Sequence, residues 1–339
     1  MSRDGGAPDA SGPARRARSR LYRDGVCVLE DFPVDDVAAH LADPATVLWL
    51  DLYRPTPGDM SMLEADVGLH ELAVAECLDT GRRPSLNRYP EHLSLDVYGV
   101  AVDPAGTALA LFEIAVFAAD RVLITVRKDC GFDLAPAVAR WDASPELTRH
   151  GVPFLLYGLL DHVIDAQFRA VQQLDEAVDD LEEMLFGGRG SEARPLQQRL
   201  FQLRRDLIAL RRVVKPMEEV VEALLSQDVL PVGEAMSPYY QKLYDHAMRA
   251  ADWTDALHDL AATTVQTNLI TQANRLNMIM KKVTSWAAII AVPTAITGFY
   301  GQNLPYPGYG SQWGLFVSTG LIALLSVLLY TVFKRNDWL

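Results

Sequence analysis

The sequence predicts an α/β domain, then long helices, then two C-terminal transmembrane helices. Three observations carry that expectation. Two uncharged apolar segments, residues 283–300 and 313–333, lie near the C-terminus, with Lys281-Lys282 before the pair and Lys334-Arg335 after it. Residues 153–282 are patterned as helices with few breakers. Residues 21–150 interleave β-rich apolar runs, helical stretches and turn residues.

The chain has 339 residues, enough for one soluble domain and a membrane part. A net charge of −13 with no basic stripe disfavours nucleic acid as a partner. Cys27, Cys77 and Cys130 are widely spaced and form no CxxC pair, so they read as reduced core thiols of a cytosolic compartment. Residues 1–20 carry Arg3, Arg15, Arg16, Arg18 and Arg20 among small residues and no apolar core. They read as a disordered tail rather than a signal peptide.

In the α/β domain, residues 21–150, strands are expected at 46–52, 92–102, 108–117 and 121–126, and helices at 59–68 and 70–79. Asp103-Pro104-Ala105-Gly106 is a turn that makes two of the strands a hairpin. The helical region, residues 151–282, opens with a helix over 154–186 whose end is acidic, and Gly187-Gly188-Arg189-Gly190 stops it. A helix over 195–226 rich in arginine follows. The acidic and basic helices read either as a solvated pair with surface ion pairs or as a cation-attracting rim. A third helix is expected to start with Ser237 as N-cap and Pro238 at its first position, and to run into the first span.

A membrane span takes about 20 apolar residues. Residues 313–333 supply 21 without charge or proline; residues 283–300 supply 18 and include Pro293. The basic flanks place both ends of the pair on the cytoplasmic side. Residues 301–312 then form an extracellular loop, residues 334–339 a cytoplasmic tail, and the protein is a multi-pass protein of the inner or plasma membrane.

Between residues 261 and 274 the long helix carries no charge and is rich in Thr, Gln and Asn. Steps of seven give Gln266, Ala273, Met280, Ala287, Thr294 and Gly301, and from Ile270 they give Asn277, Thr284, Ala291 and Gly298. The two series are four apart and share one face at the 3.5-residue period of a supercoiled bundle. Several copies around an axis would make this face the lining of a narrow, weakly polar tube. Ordinary helix contact in lipid through small residues is the other reading. One two-span hairpin cannot enclose a path, so transport would demand a homo-oligomer.

Arg275-Leu276-Asn277-Met278-Ile279-Met280-Lys281-Lys282, then Pro293-Thr294, then Tyr300-Gly301-Gln302-Asn303 resemble the CorA-type divalent cation transporters, whose first membrane helix ends in Tyr-Gly-Met-Asn. Tyr244-Asp245-His246, Ala251-Asp252, Trp49-Leu50-Asp51 and Arg83-Pro84 extend the resemblance over nearly the whole chain beyond the tail. It implies a homopentameric funnel with cytoplasmic α/β domains, long helices converging on the pore and the second span as an outer ring. Gly301, Gln302 and Asn303 would be the selectivity filter, with Gln266, Asn277, Met280, Thr284, Ala287, Ala291 and Thr294 lining the pore. Hydrated Mg²⁺ holds its water tightly, so such a filter should grip water rather than metal.

The sequence departs from that family in three places. Gln302 stands where the family has Met, as the zinc-transporting branch also varies; the loop after Asn303 has no carboxylate; and Lys242 replaces an aspartate used for regulatory Mg²⁺. Asp175, Asp179, Asp252, Asp255 and Asp259 remain as candidates for a cytosolic cation sensor. No catalytic spacing or phosphate-cradling loop is present, so no enzyme and no organic cofactor are expected. The reading is a passive channel for Mg²⁺, with Co²⁺ or Ni²⁺ tolerated. The alternatives are a Zn²⁺ transporter of the same fold, possibly proton-coupled, and a non-conducting membrane sensor or scaffold.

Overall fold

Strict period-two alternation in β3 (Thr46–Tyr53) explains the layering of the first half of the chain. Trp49 enters one apolar core and Leu48, Leu50 and Leu52 enter another, because successive side chains of a strand leave on opposite faces. A sheet buried on both faces needs helices on both, and the chain supplies them. The computed structural model describes residues 17–103, 108–186, 193–226, 233–302 and 310–338. It divides into two units, Met1–Ala262 and Thr263–Leu339.

In the first unit β1 (Ala17–Arg23), β2 (Val26–Glu30) and β3 are joined by β4 (Ser85–Arg88), β5 (His92–Val102), β6 (Leu109–Ala119) and β7 (Val122–Arg127). The sheet has seven strands in the order β2-β1-β3-β7-β6-β5-β4, and only the β3–β7 pair is parallel. One face is covered by α1 (Val37–Leu41), α2 (Pro57–Val67) and α3 (Glu71–Leu78). The other carries α4 (Ala135–Ala143), α5 (Pro145–Thr148), α6 (Val152–Phe186), α7 (Ala193–Leu225) and residues 233–262 of α8 (Gly233–Tyr300). Thr56 starts α2 with a capping box to Asp59 and Gly68 ends it at φ 77°. The parallel pair is pinned by a buried ion pair: Arg127 donates to both Asp51 oxygens at 2.9 and 2.5 Å, and the Thr125 hydroxyl donates to Asp51 Oδ1 at 2.9 Å.

Several sequence expectations need correction. The tail does not extend to residue 20. Ala17–Arg23 is a strand, and Arg20 in it donates to Glu30 and Asp142, both at 2.5 Å. Strands β2 and β4 and helices α4 and α5 went unread because they are short and their patterns are ambiguous. The third helix begins at Gly233, not at Ser237, so Ser237 and Pro238 lie within it. The expected β5–β6 hairpin is present, closed by the Asp103 N–H donating to Ala108 O at 3.0 Å; residues 104–107 of its turn lie outside the described residues. Gly187-Gly188-Arg189-Gly190 also lies outside them. Of the three thiols, Cys77 is buried, Cys27 is half-buried and Cys130 is exposed, so only Cys77 is a core thiol; burial pushes its thiol up to about 12. The basic face of α7 finds a partner on α8: Arg211 lies 2.7 Å and Lys215 3.3 Å from Asp255.

The second unit holds residues 263–300 of α8 and the final helix, α9 (Gln312–Arg335). Both helices are long and apolar enough to cross a membrane, with window mean hydropathies of 1.4 and 2.2. Their large apolar side chains are mostly exposed: Ile290, Phe316, Leu324 and Val327 are all more than 60% accessible, which is what a lipid-facing helix shows. Ser311 caps α9 by accepting from the Gly314 N–H.

Candidate ion path and acidic clusters

The two seven-step series on α8 share one exposed face. Gln266, Ile270, Ala273, Asn277, Met280, Thr284, Ala287, Ala291, Thr294, Gly298 and Gly301 are all exposed. A neighbouring stripe is sheltered instead: Ser285 is buried, and Ala288, Ile289, Val292, Ile296 and Tyr300 are half-buried. Over residues 285–300 the helix has a sheltered stripe beside the open, uncharged one, whereas over residues 269–284 every side chain is exposed. Two hydroxyls on or near it are tied down. Thr294 donates to Ile290 O at 2.9 Å and Thr297 to Pro293 O at 2.9 Å, which leaves their lone pairs as acceptors. A neutral oxygen of that kind can accept from water bound to a cation and holds it weakly.

At the end of the helix the Gly301 N–H donates to Thr297 O at 2.8 Å. A Cβ on residue 301 would sit 3.0 Å from that same oxygen, so glycine suits the tight exit. Gln302 follows, exposed, with its N–H on Phe299 O at 3.3 Å. Asn303, the third proposed filter residue, lies outside the described residues, as do residues 304–309.

The five acids proposed as a cation sensor do not converge within one chain. Asp255 is held by Arg211 and Lys215. Asp175 has its carboxyl pushed up, chiefly by burial and then by Asp179 and Glu176. Asp252 and Asp259 are exposed.

A different group does converge. One ligand atom each from Asp161, Asp165 and His246 lies within 4.8 Å of the others. Asp161 and Asp165 are one turn apart on α6, so they share a face, and α8 brings His246 Nδ1 to 3.5 Å from Asp165. The i,i+4 acids were legible in the sequence. His246 was not, because only packing of two distant helices brings it there.

This group already has a cation. Arg140 of α4 makes a close ion pair with Asp161, and its other terminal nitrogen is 3.7 Å from Asp165. Burial pulls the His246 imidazole below its usual range while Asp165 pulls the other way. A neutral imidazole beside two carboxylates is a competent donor set for a divalent ion. The guanidinium occupies the charge role such an ion would take.

Comparison with known proteins places these features. Residues 44–335 match the family model described as CorA-like Mg²⁺ transporter protein. The chain is similar to the cobalt/magnesium transport protein CorA of Thermotoga maritima, with 26% identity over 91% of this chain and 89% of that one. It is similar to the zinc transport protein ZntB of Yersinia pseudotuberculosis, with 22% identity over 90% of each. Its fold is that of the complete CorA magnesium transporter of Methanocaldococcus jannaschii, with a TM-score of 0.73 and 19% identity over 96% of this chain and 99% of that one. An α/β unit, a helix running on to an exposed uncharged seam, a second apolar helix and a family match across most of the chain lead to one conclusion: the chain belongs to the CorA-like Mg²⁺ transporter family, a family of divalent cation transporters.

Proposed function

We propose that this chain carries hydrated divalent cations, Mg²⁺ first and Co²⁺ or Ni²⁺ less well, passively down the electrochemical gradient through an axial pore of a homopentamer. The carrying observation is the seam of α8, exposed and uncharged from Gln266 to Gly301, with a sheltered stripe beside it over residues 285–300. Both termini and residues 1–282 are cytoplasmic in this reading, residues 283–300 and 313–333 span the bilayer, and residues 301–312 face outward. Copies packed around an axis on the seam line a tube with Asn277, Thr284 and Thr294 oxygens and narrow it at Met280, with Ala287 and Ala291 as the small residues between. Gly301, Gln302 and Asn303 form the outer mouth. An inside-negative potential of 100 mV drives a divalent ion inward by about 4.6 kcal/mol, twice the value for one charge.

Asp252 and Asp259, exposed on α8, are the outward acids through which a second copy could share a regulatory cation. Gln302 favours a second reading, a Zn²⁺ transporter that is proton-coupled, since the similar ZntB is named for zinc transport. Ion flux into vesicles holding a Mg²⁺ dye or a Zn²⁺ dye, with and without a pH gradient, separates the two. Mg²⁺ entry that Asn303→Ala leaves unchanged would remove the filter assignment. Zn²⁺ uptake alone, driven by the pH gradient, would replace the first reading with the second, and no flux of any ion would refute both. Sizing in detergent should give a pentamer.

A further inference from the structure

We infer that the turn joining β4 to β5 is an acid-released latch: proton uptake by His92 frees residues 89–92 from the first turn of α3 and lets the imidazole swing into the acidic cleft beside it. The inference concerns the α/β unit alone and stands apart from the transport reading. Three rings close the latch. His70 stacks on Tyr89 with centroids 4.7 Å apart, and Tyr89 stacks on His92 with centroids 5.0 Å apart and planes 14° apart. Phe117 of β6 stands on from them, its centroid 5.9 Å from that of His92. The stack thus ties the turn to α3 on one side and to the sheet on the other.

The closed form needs uncharged rings. His70 caps α3: its Nδ1 accepts from the Leu72 N–H at 3.2 Å, a bond that only an unprotonated nitrogen can take. His92 is 4% exposed, and among the described residues neither of its ring nitrogens has a hydrogen-bond partner. A charged imidazole there would hold two N–H donors with nothing to accept them. Burial pulls its pKa below the usual imidazole range, His70 pulls the same way, and Glu91 opposes them.

The charged groups around the turn favour a different position for a charged ring. His92 lines two clefts, of about 660 and 400 Å³. Glu64 of α2, Glu71 of α3 and Glu91 of the turn line the larger with no Lys or Arg among them. Arg88, Asp120 and His150 line the smaller, again with Glu91. Among the described residues no carboxylate lies within 4.0 Å of His70 or His92. The stacked position therefore gives a charged His92 no ion pair, whereas the larger cleft offers three carboxylates, and the two protonation states prefer two placements of one ring.

Opening can stay local. His92 pairs with Ala119 at the end of the β5–β6 ladder, the turn is closed by the Tyr89 N–H donating to His92 O at 2.9 Å, and β4 is a four-residue edge strand. Such a segment opens at lower cost than the core strands. The open form binds the proton more readily, so the latch holds above about pH 6.5 and loosens as pH falls below it.

The test is hydrogen–deuterium exchange of the full chain in detergent, with rates normalised to those of unstructured peptide at each pH. From pH 7.5 to 5.5, exchange in peptides covering residues 69–76 and 88–95 should rise by up to about tenfold, the gain of a freed imidazole one pH unit below its ordinary value. Peptides from β3 and β7 should stay protected, and the midpoint should fall between pH 7 and 5. H92F keeps a ring in the stack and should abolish the rise; H70N keeps a capping acceptor and should retain it. No rise in the wild type would overturn the latch, as would a rise that persists in H92F. A midpoint below pH 5 would assign the change to carboxylates, and equal loosening of β3 and β7 would make it global unfolding; either result overturns the inference without need of a variant.

Discussion

Replacing Arg140 with glutamine should turn the Asp161–Asp165–His246 group into a divalent cation site. In the wild type the Arg140 guanidinium pairs closely with Asp161 and lies 3.7 Å from Asp165, so its single charge offsets part of their repulsion. Without it, two carboxylates remain with ligand atoms within 4.8 Å of each other. At that separation they repel by about 0.9 kcal/mol if water screens them fully and about 3.5 kcal/mol at an effective dielectric of 20. The Asp165 side chain is 33% exposed and that of Asp161 is 15% exposed, so screening is substantial and about 1–2 kcal/mol is the reasonable range. A bound divalent ion relieves that repulsion, which corresponds to roughly 5- to 30-fold tighter binding than in the wild type. The assay is thermal unfolding of the full chain in detergent, titrated with Co²⁺ and referenced to EDTA, because Co²⁺ suits an imidazole and two carboxylates. R140Q should melt lower than wild type in EDTA and rise more steeply with Co²⁺. The added mutation Asp161→Asn should remove the gain. Equal Co²⁺ responses in R140Q and wild type would refute the idea that the guanidinium stands in for an ion.

Other predictions address the core, pH and the path. Asp51→Asn leaves Arg127 buried without its carboxylate and should cost about 3–5 kcal/mol in a denaturant titration, whereas Asp51→Leu with Arg127→Met should recover much of that loss. Burial lowers the pKa of His92, and neither of its ring nitrogens has a hydrogen-bond partner among the described residues. The unfolded chain therefore binds the proton more readily, and stability should fall as pH drops below about 6.5. His92→Phe should flatten that decline between pH 7 and 5 and leave the pH dependence above pH 7 unchanged, as read by melting temperature. In the proposed pentamer, Thr284→Leu puts five isobutyl groups on the seam and should cut Mg²⁺ flux by roughly tenfold or more without altering the oligomer on a sizing column.

Legibility followed the range of the forces involved. Four of the five inner strands, β3, β5, β6 and β7, were read from apolar runs; the fifth, β1, carries Arg18, Arg20 and Arg23 and has no such run. The edge strands β2 and β4 are partly solvent-exposed and carry weaker patterns, and they were missed together with β1. The start of α8 was misplaced by four residues because Ser237-Pro238 makes a good local helix start, and the structure continues the helix past it to Gly233. At the candidate path, periodicity selected a face whose residues are exposed, as are all the residues from 269 to 284. Of the candidate acids for a cation sensor, Asp255 is already held by two basic residues of α7.

By itself the sequence determined the apolar spans, their basic flanks, the uncharged seam and the family, because each depends on local composition and on periods of a few residues. Only the tertiary structure decided that Arg140 sits on Asp161 and Asp165, that His246 joins them from another helix, and that Trp338 folds back to Lys281. Those contacts join residues 21 to 85 positions apart, 57 in the case of Trp338 and Lys281. Charge and ring contacts over such separations depend on how helices pack, and packing is set by the shape of whole cores rather than by any stretch of sequence that can be read alone.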